Sequence, residues 1–336
     1  MPKPMSRRPS TLWFAGVASA LALAAPLRSQ EQPAAPAAPP GAQPASETID
    51  YRVADTRMTV PVSIGAHGPF NFIVDTGSER TVVSQELARD LALGPGRTAT
   101  VHSMTEVSQI PTVIVSDLRV GQRTMQEDIH APALSRSNLG AAGILGVDTL
   151  QLQRVVFDFK RREMTVTPSQ RSAGHWPEGT IVVTARSRFG RLMLVDAAVD
   201  GQRVYVIIDT GAQVTVGNSA LRRALDANHR MGPTAQVRMI SVTGGQFTAE
   251  YMLARRIRIG GADIVNLPIA FADVHPFAAL ELMDRPAILL GMDALQLFER
   301  VSVDFANRRV RLLTPDSSLN GATIRIAGGG STRLGS

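Results

Sequence analysis

Along most of the chain, apolar and polar residues alternate in short runs, as in Thr59 to Ile64, Val113 to Val115, Ile181 to Val183 and Ile257 to Ile259. A period of two places successive side chains on opposite faces of a strand, so the pattern predicts a mainly β protein. Two runs are more continuously apolar and read as buried strands: Phe70-Asn71-Phe72-Ile73-Val74 and Val204-Tyr205-Val206-Ile207-Ile208. Each leads directly into the same tripeptide, Asp75-Thr76-Gly77 and Asp209-Thr210-Gly211. Helical signals are few. One covers Ser84 to Leu91 and one Ser219 to Leu225, each opening on a capping residue.

The repetition extends past the tripeptide. Ile144-Leu145-Gly146-Val147-Asp148 and then Val155-Val156-Phe157-Asp158-Phe159 follow the first copy. Leu289-Leu290-Gly291-Met292-Asp293 and then Val301-Ser302-Val303-Asp304-Phe305 follow the second. The copies are offset by 134 residues at the tripeptide and by 145 at Asp148 and Asp293, so the second half carries 11 extra residues, expected in a loop or hairpin. A period this long means two homologous lobes, because solenoid repeats run to about 20–50 residues.

On these residues the chain resembles the retropepsin-like aspartic proteases, in the bacterial form that carries both halves on one polypeptide. The resemblance covers roughly residues 50–168 and 179–315. It implies two homologous β-barrel lobes around a pseudo-twofold cleft, a polypeptide substrate, and Asp75 and Asp209 as the catalytic pair. Two carboxylates about 3 Å apart cannot both ionise, so one serves as base toward a water and the other as acid. No cofactor or metal is implied.

The resemblance also assigns supporting roles. Thr76 and Thr210 are expected to hydrogen-bond across the axis. Gly77 and Gly211 are expected to allow a tight turn and donate an amide to a carboxylate. The next residue differs, Ser78 in one copy and Ala212 in the other. A hydroxyl there is expected to bond a catalytic carboxylate, so Ala212 should leave the pair less acidic. Thr243, Gly244 and Gly245 read as the tip of a second-lobe flap hairpin. The first-lobe counterpart around Thr100 to Val107 has no tip glycine, and neither has the tyrosine of pepsin flaps. Pro132, Leu134, Pro276 and Phe277 are candidate subsite walls, with loop packing as the alternative.

Other repeated residues have simpler explanations. Asp148 and Asp293 stand where a short helix begins, and Asp158 and Asp304 sit in strands beside basic residues, so capping and ion pairing account for them. His130 and His275 share the 145-residue spacing but belong to no metal-like cluster. With six histidines and no cysteine, a zinc site has little to draw on, and disulfides are excluded.

The N-terminus reads as a signal peptide: Lys3, Arg7 and Arg8, an apolar stretch from Leu12 to Ala25, and a small-x-small site at Ala22-Leu23-Ala24. An uncleaved membrane anchor is the alternative. Removing residues 1–30 takes away four basic residues and no acid, lowering the formal charge from +6 to +2, which argues against nucleic acid as a partner. The chain therefore divides into a signal peptide (1–30), an Ala/Pro-rich tether (31–48), a first lobe (49–168), a linker (169–179), a second lobe (180–318) and a Gly/Ser-rich, frayed tail (319–336). Three readings follow: an active exported monomeric protease, an idle peptide-binding module, or an enzyme that needs a second copy of itself.

Overall fold

The computed structural model describes residues 11–13, 19–20, 47–50, 52–54, 57–102, 107–120, 123–124, 128–169, 173–188, 191–240, 245–315 and 323–325. Strands dominate, and the same arrangement occurs twice. In the first lobe the strand His67–Val74 lies between Arg57–Ile64, antiparallel to it, and Gly143–Leu145, parallel to it. Gly143–Leu145 then pairs antiparallel with Val82–Ser84, which runs parallel to Ile129–Leu134. In the second lobe Tyr205–Ile208 runs parallel to Ala287–Leu290. That strand pairs antiparallel with Val216–Gly217, itself parallel to Ala262–Phe271. Central strands flanked in this way need apolar side chains on both faces. Phe72, Ile73, Val74, Val206 and Ile207 are accordingly fully buried.

The register locates the extra residues of the second lobe. Val83 pairs with Ala133 and Gly217 with Phe271, so the offset between copies is 138 there, against 145 at Leu145 and Leu290. Four insertions thus precede this strand and seven follow it, in the connection that holds the short helix His275–Ala279. The equal spacing of His130 and His275 is therefore misleading. His130 lies in the strand Ile129–Leu134, whereas His275 opens a short helix whose first-lobe counterpart is Arg136–Leu139. The two predicted helices form at Gln85–Asp90 and Ser219–Ala227. Their caps are Ser84, whose Oγ accepts from the Leu87 N–H, and Asn218, one residue earlier than expected, whose Oδ1 accepts from the Leu221 N–H.

A six-stranded antiparallel sheet joins the lobes, in the order Glu47–Asp50, Glu163–Pro168, Gln153–Asp158, Arg300–Asp304, Arg309–Leu313, Ile181–Arg188. At its centre Val156 faces Ser302, its own counterpart, so the pseudo-twofold axis passes between them. On either side Arg154 faces Asp304 and Asp158 faces Arg300. These are reciprocal inter-lobe ion pairs, with N–O distances of 3.8 Å and 2.9 Å. The role anticipated for Asp158 and Asp304 is thus realised between lobes.

The ends add short strands. Thr323–Arg325, within the tail expected to fray, pairs with Asp263 to Val265. Thr11–Trp13 and Ser19–Ala20, within the stretch read as a signal peptide, lie beside Ala99–His102 and beside Met239 to Ile240. Among the described residues no helix is long and apolar enough to cross a membrane.

Candidate active site

The two tripeptides sit at the ends of equivalent strands and meet at the axis. The Asp75 N–H donates to the Leu145 carbonyl (3.0 Å) and the Asp209 N–H to that of Leu290 (3.1 Å), which ties each loop to its Leu-Gly strand. The Thr76 N–H donates to Thr210 Oγ1 (3.1 Å), and the Thr210 N–H to Thr76 Oγ1 (3.2 Å). Each hydroxyl then donates onward to the opposite strand, Thr76 to the Ile208 carbonyl (2.9 Å) and Thr210 to that of Val74 (2.7 Å). Four buried bonds therefore hold the lobes in register at the site. A threonine hydroxyl, both donor and acceptor, can make both bonds.

Each aspartate is oriented by its own loop. Asp75 Oδ1 accepts from the N–H groups of Gly77 (2.8 Å) and Ser78 (2.9 Å), and Asp209 Oδ1 from those of Gly211 (2.9 Å) and Ala212 (3.1 Å). The other oxygens, Asp75 Oδ2 and Asp209 Oδ2, are buried and take no donor from the rest of the described protein. The two carboxyls instead face each other, close enough to hydrogen-bond through a shared proton. The glycine at 211 is required by this approach rather than by an unusual turn. A Cβ there would lie 2.3 Å from the Asp75 carboxyl, whereas no left-handed φ occurs at Gly77 or Gly211. Likewise a Cβ at Gly146 or Gly291 would strike the backbone of Arg80 or Val214.

Asp148 and Asp293 buckle these loops. Asp148 accepts from the N–H and the hydroxyl of Thr81, and Asp293 makes the same pair of bonds with Thr215. Both are structural, as expected, although they fasten the loop after the tripeptide as well as the helix start.

Burial is the main cause of every large shift at the site. Asp75, with no solvent exposure, is pushed up to about 6. Asp209 is raised well above the usual carboxylate range, by burial and then by the Asp75 charge. The two carboxyls titrate as a coupled pair, so the upward shifts belong to the pair.

Two residues next to the pair behave differently from expectation. Ser78 Oγ donates to the Arg80 carbonyl (2.8 Å), not to Asp75. Asp75 Oδ1 already accepts two backbone N–H groups, and the turn carbonyl needs a donor, so the Ser78 and Ala212 difference does not reach the carboxylates. Arg191, by contrast, was not foreseen. Its side chain is fully buried and crosses from the second lobe to the first loop. Nε donates to the Gly77 carbonyl (2.8 Å) and Nη1 pairs with Glu79 Oε1 (3.1 Å), and its charge acts on both aspartates. Burial pushes Glu79 up to about 7 in spite of Arg191. The sequence held one signal for this residue: Arg191 precedes Asp209 by eighteen residues, as Arg57 precedes Asp75.

The strands Thr234–Ile240 and Gln246–Ile259 form the second-lobe hairpin, with Ile240 opposite Gln246. Gly245 stands beside this last pair, while Thr243 and Gly244 lie outside the described residues. Ala99–His102 and Val107–Ile110 form the first-lobe hairpin. Its His102 stacks on His275 of the second lobe, with ring centroids 4.2 Å apart. Pro132, Leu134, Pro276 and Phe277 are all buried, and Leu134 and Phe277 belong to apolar clusters, which favours the loop-packing alternative.

Two family models match the chain, one lobe each. Residues 60–152 match the gag-polyprotein putative aspartyl protease, and residues 195–294 match the aspartyl protease family. Each match contains one Asp-Thr-Gly loop, and together they span more than half of the chain. These are the domains of peptide hydrolases. The chain belongs to the retropepsin-like aspartic proteases, with one domain of that kind in each lobe. No curated protein matches it.

Proposed function

We propose that the protein is an exported endopeptidase in which Asp75 and Asp209 together activate a water for attack on a peptide bond. The observation that carries this reading is the facing pair of buried carboxyls, each held by two N–H groups of its own loop. Asp75, ionised, takes a proton from the water as its oxygen bonds to the peptide carbon. Asp209, protonated, donates to the developing oxyanion. As the C–N bond breaks, Asp75 passes its proton to the leaving amine and a hydroxyl of the diol intermediate returns one to Asp209, so water is divided between the two products and the pair is restored. The Arg191 guanidinium favours the single negative charge that the pair carries throughout.

Both loops belong to one chain and are bridged by intrachain bonds, which supports a monomeric catalytic unit over a homodimer. An extended polypeptide suits two hairpins whose edges already pair with extended segments. Export rests on the basic and apolar N-terminal pattern alone. The test is cleavage of a denatured protein across a pH series by wild type and Asp75→Asn. Equal turnover by the two would refute the proposal, and N-terminal sequencing of the mature protein checks processing.

A further inference from the structure

We propose that the inter-lobe sheet carries a second site, remote from the aspartates, for an anion bearing a phosphate group. The site lies on the face formed by Gln153–Asp158, Arg300–Asp304 and Arg309–Leu313. Arg154, Asp304 and Arg309 stand in one cross-strand row, so their side chains share a face, and Arg311 follows two residues after Arg309 on that face. With Ser169, Ala173 and Asn307 they line an open pocket of about 380 Å³.

Three arginines thus surround one carboxylate, and that carboxylate is largely occupied. Asp304 accepts from the backbone N–H (3.1 Å) and the Nδ2 (3.0 Å) of Asn307 and sits 3.8 Å from Arg154 Nε. An excess of two positive charges is left. Arg154 is only 2% exposed, which makes this more than a solvated basic surface. Two donors at the pocket also lack a partner among the described residues: the buried Nη1 of Arg311, and Oγ of Ser169, itself only 5% exposed. A buried donor left unbonded is destabilising, and a bound oxyanion would relieve that cost.

The internal duplication supplies a control. At the equivalent positions across the axis stand Arg300 and Asp158, with Glu163 where Arg309 is and Thr165 where Arg311 is. The pocket there adjoins the first and shares Arg154 with it, but its own Arg300 and Arg161 are offset by Asp158 and Glu163. The fold therefore does not require the arginine excess, and only one copy has it. Guanidinium forks and a surplus of two charges suit a phosphate dianion. Bound there, it would join Arg154 of the first lobe to Arg309 and Arg311 of the second and brace the two against each other.

The experiment is calorimetric titration and thermal melting of the full chain with inorganic phosphate, at ionic strength held constant with sodium chloride. One site per chain is expected, with a melting temperature a few degrees higher at ten times the dissociation constant. Arg309→Gln with Arg311→Gln should weaken binding at least about tenfold. Arg309→Gln alone, at an exposed position, serves if the double variant does not fold. Arg258→Gln, on a separate arginine-rich surface, should change nothing. A phosphate effect no larger than that of chloride, or one that survives the double variant with its circular dichroism intact, would overturn the site. A second arm uses vesicles containing phosphatidylglycerol. Binding to both identifies a lipid headgroup as one source of the group, binding to phosphate alone a free small molecule. Vesicle binding without any phosphate effect would also overturn the site.

Discussion

The two catalytic loops agree bond for bond up to the glycine and diverge immediately after it. Both aspartates accept two backbone N–H groups, both threonines bridge the axis, and both loops are fastened by a buried Asp–Thr pair. Beyond that, the first loop has Ser78 and Glu79 and is held by Arg191 from the other lobe, whereas the second has Ala212 and the uncharged Gln213. The shared part is what brings two carboxyls together. The divergent part sets the charge around them. Duplication alone would make the carboxyls interchangeable, whereas the proposed mechanism asks one to act as base and the other as acid.

The largest test of the shared part is Asp75→Asn and Asp209→Asn. Each is expected to lower kcat/KM by about 10²–10⁴-fold or more on a peptide substrate, with circular dichroism unchanged. A variant that keeps near-normal turnover would break the one-site account.

Arg191→Met tests the divergent part. Removing one member of a buried pair typically costs about 3–5 kcal/mol, and the loss should show in urea unfolding at pH 8. It should shrink at pH 5, because Glu79, raised to about 7, is then protonated and needs no partner. The acidic limb of the kcat/KM profile should also move to higher pH, since Arg191 lowers the Asp75 pKa. An equal penalty at both pH values would remove Glu79 from the explanation.

Stability against pH gives a third test. A group whose folded pKa is raised contributes stability below its unfolded pKa and loses it as pH rises through the folded value. Asp75, Asp293 and Glu79 are raised to about 6, 6 and 7, so the wild-type melting temperature should fall between pH 5 and pH 8. Asp209→Asn keeps the neutral partner at every pH, so its decline should be shallower and its melting temperature at pH 8 a few degrees higher. A steeper decline would contradict the shared proton.

The smallest effect is expected from Ala212→Ser. The new hydroxyl would find the Val214 carbonyl, the counterpart of the Arg80 carbonyl that Ser78 uses, and leave the carboxylates alone. No measurable shift of the kcat/KM profile should follow. A shift toward lower pH would show that a hydroxyl at 212 bonds Asp209.

What was legible in the chain followed what is local. The apolar strands, the short helices and both Asp-Thr-Gly loops could be read because periodicity and a repeated tripeptide are properties of neighbouring residues. The reciprocal pairs Arg154–Asp304 and Arg300–Asp158 could be half read, since charged residues in apolar strands announce a need for partners but do not name them. The role of Arg191 could not be read from its repeated spacing, because its partners Gly77 and Glu79 are more than a hundred residues away. The position of the insertion was hidden for a different reason. Spacing alone pairs His130 with His275, and only strand register shows that His275 stands seven positions beyond the counterpart of His130.

The sheet in which Val156 lies against Ser302 is the contact that two identical chains would make with each other, written here into a single one. Its bonds do not depend on the peptide segment that connects the halves. Cutting the backbone within residues 173–179 should therefore yield two pieces that separate in detergent yet travel together, still competent, under native conditions: the sheet carries the pairing, and the tether adds only proximity.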